Sequence, residues 1–567
     1  MRKIYLFLGL AILGIGFYRI LDRIWVTEDA YITFKHIENF FAGNGLSFNK
    51  TNRIESFTHP LWVFLLILGR IFTGLSTHTV SILLGILFSF SMLLYYFFDL
   101  TREKENLKIF LLPALYTIHQ GFIDFSTSGL ENSLTFFLLT LLLTKIWNKK
   151  IPNDFSVPTL LALLYFVRPE FALVLVYYSV IYAIENFYSE NYLLKLFRFI
   201  LIPAILVIGY HSFRYLYYHE IFPMSYHAKA GSGSDWNSGF IYLKHTLRYS
   251  PFLSQVLVIA TIFSLYQLFV NKLFNFKILR DVIASIVAGY YILRMGGDFM
   301  AFRLLLPTIF ILYFLIHKYI QTRFEFQNKT SILVNLLLLI SLLYYTFTES
   351  KVPFEKWKIG DERSVYYKDL NQSFSSRLKE IKHSWYLEGL KFHRLQSCLG
   401  YEPFIVTNSV TNAKCAYGFG LGYFATASGT NVSVVDELGF TDKNVTLQDA
   451  KDRRPGHLKS IDLSYVIDTG NLFCSLNDER YDKIMKTHLG VLINLDPKLL
   501  YSLGKEEYSE IVEKLKTLYE DVSESDKPKD KELMSYLKLI EKKRKISILE
   551  LPDQIPKKFI PEDDCWE

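Results

Sequence analysis

The chain has 567 residues, of which 51% are hydrophobic and 21% charged, with a net charge of +7 and a mean hydropathy of +0.20. That is too apolar for an ordinary soluble protein and too charged for a pure membrane bundle, so one membrane half and one soluble half are expected. Lys and Arg sit mostly in short loops and in the tail, without a basic stripe, which argues against a nucleic-acid partner.

Residues 1–21, "MRKIYLFLGLAILGIGFYRIL", begin like a signal peptide, but no clean small-x-small cleavage site follows. They read as a retained first membrane helix. The next stretch, "WVTEDAYITFKHIENFFAGNGLSFN" (25–49), sets Glu28 and Asp29 at the edge of that apolar run. One reading makes them the N-terminal cap of a helix that Gly43 and Gly45 end. The other makes them reactive: ionisable groups beside hydrocarbon are costly, and a carboxylate there can act as a general base.

The run 60–73, "PLWVFLLILGRIFT", carries Arg70 between Pro60 and Gly74 and reads as a half-embedded surface helix. Apolar runs near 79–98, 107–120, 130–147, 155–167, 170–186, 196–213, 251–270, 278–293, 303–318 and 331–347 follow. With the first helix they give about eleven crossings. Loop charges orient them: Arg2 and Lys3, then Arg102, Lys104 and Lys108, then Lys145, Lys149 and Lys150 all fall inside if 60–73 does not cross. The turn-rich segments 25–58, "STSGLEN" (126–132), "VRPE" (167–170), 220–237 and "RMGGDFMAFR" (294–303) then share the outer face.

Beyond residue 348 no spanning run recurs. Short apolar patches such as "FIVT" and "SYVID" alternate with helical patterns such as "EEYSEIVEKLKTLYEDV", which predicts a mixed α/β domain over 348–567 outside the membrane. Residues 522–546 read as a mobile or solvated helix. All four cysteines, Cys398, Cys415, Cys474 and Cys565, lie in this tail and make no zinc pattern. A Cys398–Cys415 bridge is the preferred pairing in an oxidising compartment.

Basic groups assigned to the outer ends of the membrane segments are Arg168, His227, Lys229, Arg294 and Arg303, with Glu170 and Asp298 beside two of them. Singly each reads as interfacial snorkelling. Together, beside an acid, they suggest a clamp for a departing phosphate. "GGD" (296–298) matches no nucleotide loop, and neither a P-loop nor a dinucleotide fingerprint occurs, so a soluble nucleotide donor has no visible cradle. No metal or other cofactor is expected.

The opening "EDAYITFKHIENFFAGNGLSFN…ESFTHPLW" resembles the signature of bacterial membrane glycosyltransferases of the GT-C class, whose best-known members are the terminal arabinofuranosyltransferases of mycobacterial cell walls. "TSGLEN", "RPE", "PMSYHAKA", "GGDFMAF" and "VVDELGFTD…RRPGH" resemble further blocks in the same order, over about residues 25–457. The resemblance implies transfer of a sugar from a polyprenyl-phosphate carrier to a glycan or glycolipid outside the bilayer, with Asp29 as catalytic carboxylate. Glu28 stands where Asp is common, and Asn132 and Ala301 replace the usual Thr and Pro. Asp436, Asp442, Arg454 and His457 in the tail block read either as structural, with Asp436 bonding the turn that ends "VSVVDELG", or as acceptor or donor contacts.

The expectation is therefore a membrane α-helical bundle (1–347) followed by an extracytoplasmic α/β domain (348–567). It would lie in a bacterial inner membrane with its N-terminus cytoplasmic and act as an inverting glycosyltransferase. A flippase of lipid-linked sugars, which would need charges or broken helices near the bilayer midplane, and a non-catalytic envelope assembly protein are the rival readings.

Overall fold

The computed structural model describes residues 2–50, 53–102, 108–147, 151, 154–230, 234–250, 276–323, 328–348, 359–367, 374–379, 381, 383–387, 389–390, 393, 404–407, 421–436, 439–447, 505–544 and 547–553. Two compact units emerge: one comprises 1–30, 58–221 and 233–381, the other 31–57, 222–232 and 382–567.

In the first unit four helices are long and apolar enough to cross a membrane: Arg2–Asp22, Thr77–Arg102, Tyr192–Tyr218 and Lys329–Phe347. At about 1.5 Å per residue each reaches roughly 30 Å, the thickness of a hydrocarbon core. Two of them, Tyr192–Tyr218 and Lys329–Phe347, bury few of their side chains, with Leu216 74% and Phe347 82% exposed. Apolar surface on that scale calls for lipid or another apolar partner. The shorter apolar helices are Pro60–Thr73, Asn132–Ile146, Ser156–Val167, Phe171–Asn186 and Leu306–Gln321. Asn132–Ile146 packs against Thr77–Arg102, where Gly85 lets the chain approach closely: a Cβ there would meet the Ser126 carbonyl oxygen at 2.3 Å.

The expected crossing at 107–120 is not one helix. It breaks at His119 into Leu111–Ile118 and Gln120–Phe125, because the His119 ring accepts a hydrogen bond from the Gly121 N–H (3.1 Å) and caps the second piece. The pair at 155–167 and 170–186 forms helices of 12 and 16 residues separated by Arg168–Glu170. The surface-helix segment is a helix over Pro60–Thr73, closed by Gly74 in the left-handed region at φ 68°. The expected crossing at 251–270 lies outside the described residues. Four membrane-length helices are thus established among the described residues.

After the last long helix the chain stays with the first unit. Arg363 donates to the Arg23 carbonyl (3.2 Å), and Arg377 to that of Asp22 (2.6 Å).

In the second unit strands Phe404–Thr407 and Ser433–Asp436 pair in parallel, with the Leu421–Ala427 helix in the connection between them. "FIVT" and "SVVD" supply the β-branched residues that favour strands. The Lys505–Ser523 helix packs on Pro528–Arg544. Leu533 and Leu537 are buried in that hairpin, so the 528–544 segment is more than the solvated helix its charge suggests. The four cysteines and "SYVID" lie outside the described residues.

Candidate functional site

The site is built around the turn 294–303. The Phe276–Arg294 helix ends with Gly296 and Gly297 at φ 90° and 77°. These left-handed positions are ones a side chain resists. Tyr242, fully buried, fixes the rest of the turn: its hydroxyl donates to the Met300 carbonyl (3.0 Å) and accepts from the Leu304 N–H (3.2 Å). The turn thereby delivers Asp298 and Arg303 to the interior, 3% and 8% exposed.

Arg303 Nη1 lies 3.0 Å from Asp29 Oδ2 and 3.7 Å from Asp298 Oδ2. Asn132 donates to the Arg303 carbonyl (3.4 Å), and the Thr27 N–H donates to the Ser128 carbonyl (2.9 Å). The same 126–132 segment carries Glu131, whose Oε1 is 3.4 Å from Arg168 Nη1 and whose Oε2 is 3.4 Å from His59 Nδ1. Arg168 also grips Glu170 through two nitrogens. Four segments singled out in the sequence, "TED", "STSGLEN", "RPE" and "GGDFMAFR", thus contribute to one network.

Its electrostatics follow from burial. Burial lowers the pKa of Arg303, but Glu131, Asp298 and Asp29 outweigh it and raise it above the ordinary arginine value, so the guanidinium stays charged. Burial pushes His59 down to about 4, against the opposing pull of Glu131, so at neutral pH it is an uncharged neighbour and not an ion-pair partner. Glu131 is pushed up by burial, yet its basic neighbours hold it below the usual carboxylate range. Asp29 is the part of this network most open to solvent, with its side chain 26% exposed against 10% for Arg303, 1% for Asp298 and 5% for Glu131. The chemistry available is an exposed carboxylate edge backed by a buried, permanently charged guanidinium.

Glu28 is the first residue of the Glu28–Phe41 helix and is buried. A cap alone does not account for Asp29, whose carboxylate meets an arginine 274 positions away. Arg294, by contrast, is exposed at its helix end and serves there through its carbonyl, which accepts from the Asp235 N–H (2.8 Å).

The remaining candidates belong to the second unit. His227 lies in the Met224–Ala230 helix against Phe222 and Tyr226. Lys229 is in the same helix, its side chain outside the described residues. Asp442 is a helix N-cap: its Oδ1 accepts from the Asn444 and Val445 N–H groups (2.8 and 3.1 Å). Asp436 ends the second strand, its side chain outside the described residues, as are Arg454 and His457. The polar residues of the first motif that fall in this unit are staples. Asn49 pairs with both the N–H and the carbonyl of Val434, and Ser56 donates to the Phe440 carbonyl (2.6 Å). Lys35, fully buried, donates to the carbonyls of Ala425 (2.8 Å), Gly429 and Val432.

Sequence reasoning did not single out His59, Glu131, Tyr242 or Lys35. Glu131 had a signal: an acid within an otherwise uncharged block between apolar runs needs a partner when it is buried.

These features define a multi-helical protein with membrane-length apolar helices and a buried arginine–carboxylate network opening to solvent at one aspartate. No family model matches the chain. The chain resembles the terminal beta-(1->2)-arabinofuranosyltransferases: it is 26% identical over 332 residues to that of Mycobacterium tuberculosis, covering 51% of this chain and 52% of the relative. It is 27% identical over 326 residues to that of Corynebacterium glutamicum, covering 51% and 47%. The chain spans about half the length of the curated relatives it matches.

Proposed function

We propose that this protein is an inverting membrane glycosyltransferase of the GT-C type, moving a sugar from a polyprenyl-phosphate carrier to a cell-envelope glycan or glycolipid. The observation that carries the reading is the Asp29–Arg303 pair, in which a solvent-edge carboxylate is held by a buried guanidinium. Resemblance to the two arabinofuranosyltransferases supports the reaction class. Arabinofuranose is the first sugar to test, and the acceptor belongs to the envelope.

In this reading the acceptor hydroxyl gives its proton to Asp29 as its oxygen attacks the anomeric carbon. The bond from that carbon to the phosphate oxygen breaks, and the lipid phosphate leaves with the electron pair. One displacement inverts the anomeric centre. Charge building on the phosphate is met by Arg303, already charged and fixed before reaction, with Arg168 and Glu131 holding the surrounding frame. The bias of Lys and Arg toward the opposite loops supports a site on the extracytoplasmic face of the inner membrane, with the N-terminus in the cytoplasm.

The experiment is direct: purified full-length protein is incubated with radiolabelled polyprenyl-phosphoryl arabinofuranose and an arabinan oligosaccharide. Label in the glycan with inverted linkage supports the reading. Lipid-linked sugar that crosses vesicles without transfer favours a flippase.

A further inference from the structure

Three non-glycine residues among those described have a positive φ: Asn191 (57°), His219 (58°) and Phe302 (69°). The first two flank the Tyr192–Tyr218 helix and are of types that the left-handed region tolerates. Phe302 is a bulky aromatic residue, 4% exposed, directly before Arg303. The Arg303 N–H donates to the Ala301 carbonyl (2.9 Å), two residues back. With its φ, that bond makes Phe302 the centre of a γ-turn of the positive-φ kind, the rare and strained one.

The surroundings impose this turn. On one side the Tyr242 hydroxyl holds the Met300 carbonyl, and the Ala301 N–H donates to the Gly360 carbonyl (3.0 Å). On the other the Leu304 N–H donates to the same hydroxyl, and the Leu305 and Leu306 N–H groups donate to the Phe302 carbonyl (2.9 and 3.1 Å). The Phe302 ring stands edge-on to His119, with 5.1 Å between centroids. Gly121 backs it so closely that a Cβ there would meet the Phe302 Cβ at 3.0 Å. His119 is itself fixed: Nδ1 accepts from the Gly121 N–H, and Nε2 lies 2.9 Å from Ser250 Oγ.

We propose that Phe302 is a positioning residue for Arg303: the γ-turn centred on it, locked by its ring against His119 and Gly121, sets the guanidinium 3.0 Å from Asp29. Strain of this kind persists only where neighbours over-determine it, and it gathers where a functional side chain has to be aimed. A turn relaxed to negative φ at 302 would send the Arg303 side chain off in a different direction. Nη1 has little slack to compensate, since it also lies 3.7 Å from Asp298 and 3.5 Å from Met300 Sδ.

The inference rests on Arg303 as the charge that meets the leaving phosphate, but its test does not need turnover. Two substitutions separate backbone conformation from plain packing. Glycine takes a φ of 69° without strain, and alanine does not. If only the bulk of the ring matters, Phe302→Ala should match or exceed Phe302→Gly, because glycine carries the larger entropy cost. If the turn matters, Phe302→Gly should be the better. The readout is phenylglyoxal labelling of arginines in the full-length protein in detergent, located by mass spectrometry. Arg168, with its side chain 4% exposed, is the internal reference for global unfolding. Relative to Arg168, Arg303 should be modified roughly ten- to a hundredfold faster in Phe302→Ala than in the parent, and far less so in Phe302→Gly. Where turnover is measurable, kcat should fall in the same order, with KM for the lipid donor little changed. If neither variant is recovered folded, Phe302→Asn against Phe302→Leu repeats the comparison with more of the space filled. Asn tolerates the left-handed region and Leu resists it, so Asn should protect Arg303 better, whereas packing alone favours Leu. Equal labelling within a pair, or better protection by Ala or Leu, overturns the proposal. The predicted order in a protein that transfers no sugar supports the positioning of Arg303 and sinks the transferase reading instead.

Discussion

Arg303 reaches Asp29 across 274 residues, at 3.0 Å, while the same guanidinium lies 3.7 Å from Asp298. An arginine shared among carboxylates is a scaffold and an electrostatic source at once. Removing it leaves Asp298 buried without its cation and takes one of the two arginines that act on Glu131.

Arg303→Met is therefore expected to destabilise the protein, by about 3–5 kcal/mol, the usual cost of orphaning a buried partner. Arg303→Lys keeps the charge but lacks the planar fork, and should fold while losing roughly a hundred- to a thousandfold in transfer rate. Thermal melts in detergent and single-time-point transfer assays check both. A stable, active Arg303→Met protein would reduce Arg303 to an interface anchor.

His59 gives a pH prediction. Burial holds it at about 4, against 6.5 when exposed, so unfolding takes up a proton between those values. The stability at stake is fully present above pH 6.5 and is lost as the pH falls toward 4. Glu131, held below the usual range, acts in the same direction at lower pH. His59→Gln should flatten the fall of melting temperature from about pH 6.5 to about 4, an effect on the order of 1–3 kcal/mol by the acid end. Identical slopes for the two proteins would contradict the burial argument.

Gly297→Ala tests the turn. Its φ of 77° is left-handed, and an added Cβ would sit 2.5 Å from the Tyr242 side chain. A loss of about 1–3 kcal/mol is expected from strain and overpacking, with transfer reduced because Arg303 moves with the turn. An alanine variant melting like the parent would mean that the turn does not need this conformation.

How much of this is legible in the sequence varies by residue. The Pro60–Thr73 helix is readable because Pro and Gly bracket one apolar run, and "FIVT" is readable as a strand from its β-branched residues. The break at His119 is not, since a side-chain-to-backbone hydrogen bond leaves no mark on the apolar pattern. Motif and charge single out Asp29, Arg168, Glu170, Asp298 and Arg303. They do not pair them, because hydropathy says nothing about which charges meet. Arg168 shows the consequence: read from sequence as a phosphate ligand, it is buried and gripped by Glu131 and Glu170. Asp442, read as either structural or an acceptor or donor contact, is a helix cap.

The most direct test is Asp29→Asn in the purified transfer assay, alongside its melting temperature. The amide keeps the shape and can still face Arg303, but it cannot take up the proton of the acceptor hydroxyl. Because Asp29 is the most solvent-open carboxylate of the network and Arg303 keeps Asp298 and Glu131 as counter-charges, stability should change by only about 1 kcal/mol. The account predicts near-complete loss of sugar transfer from a protein that melts like the parent. An Asp29→Asn protein with parental transfer activity would contradict it.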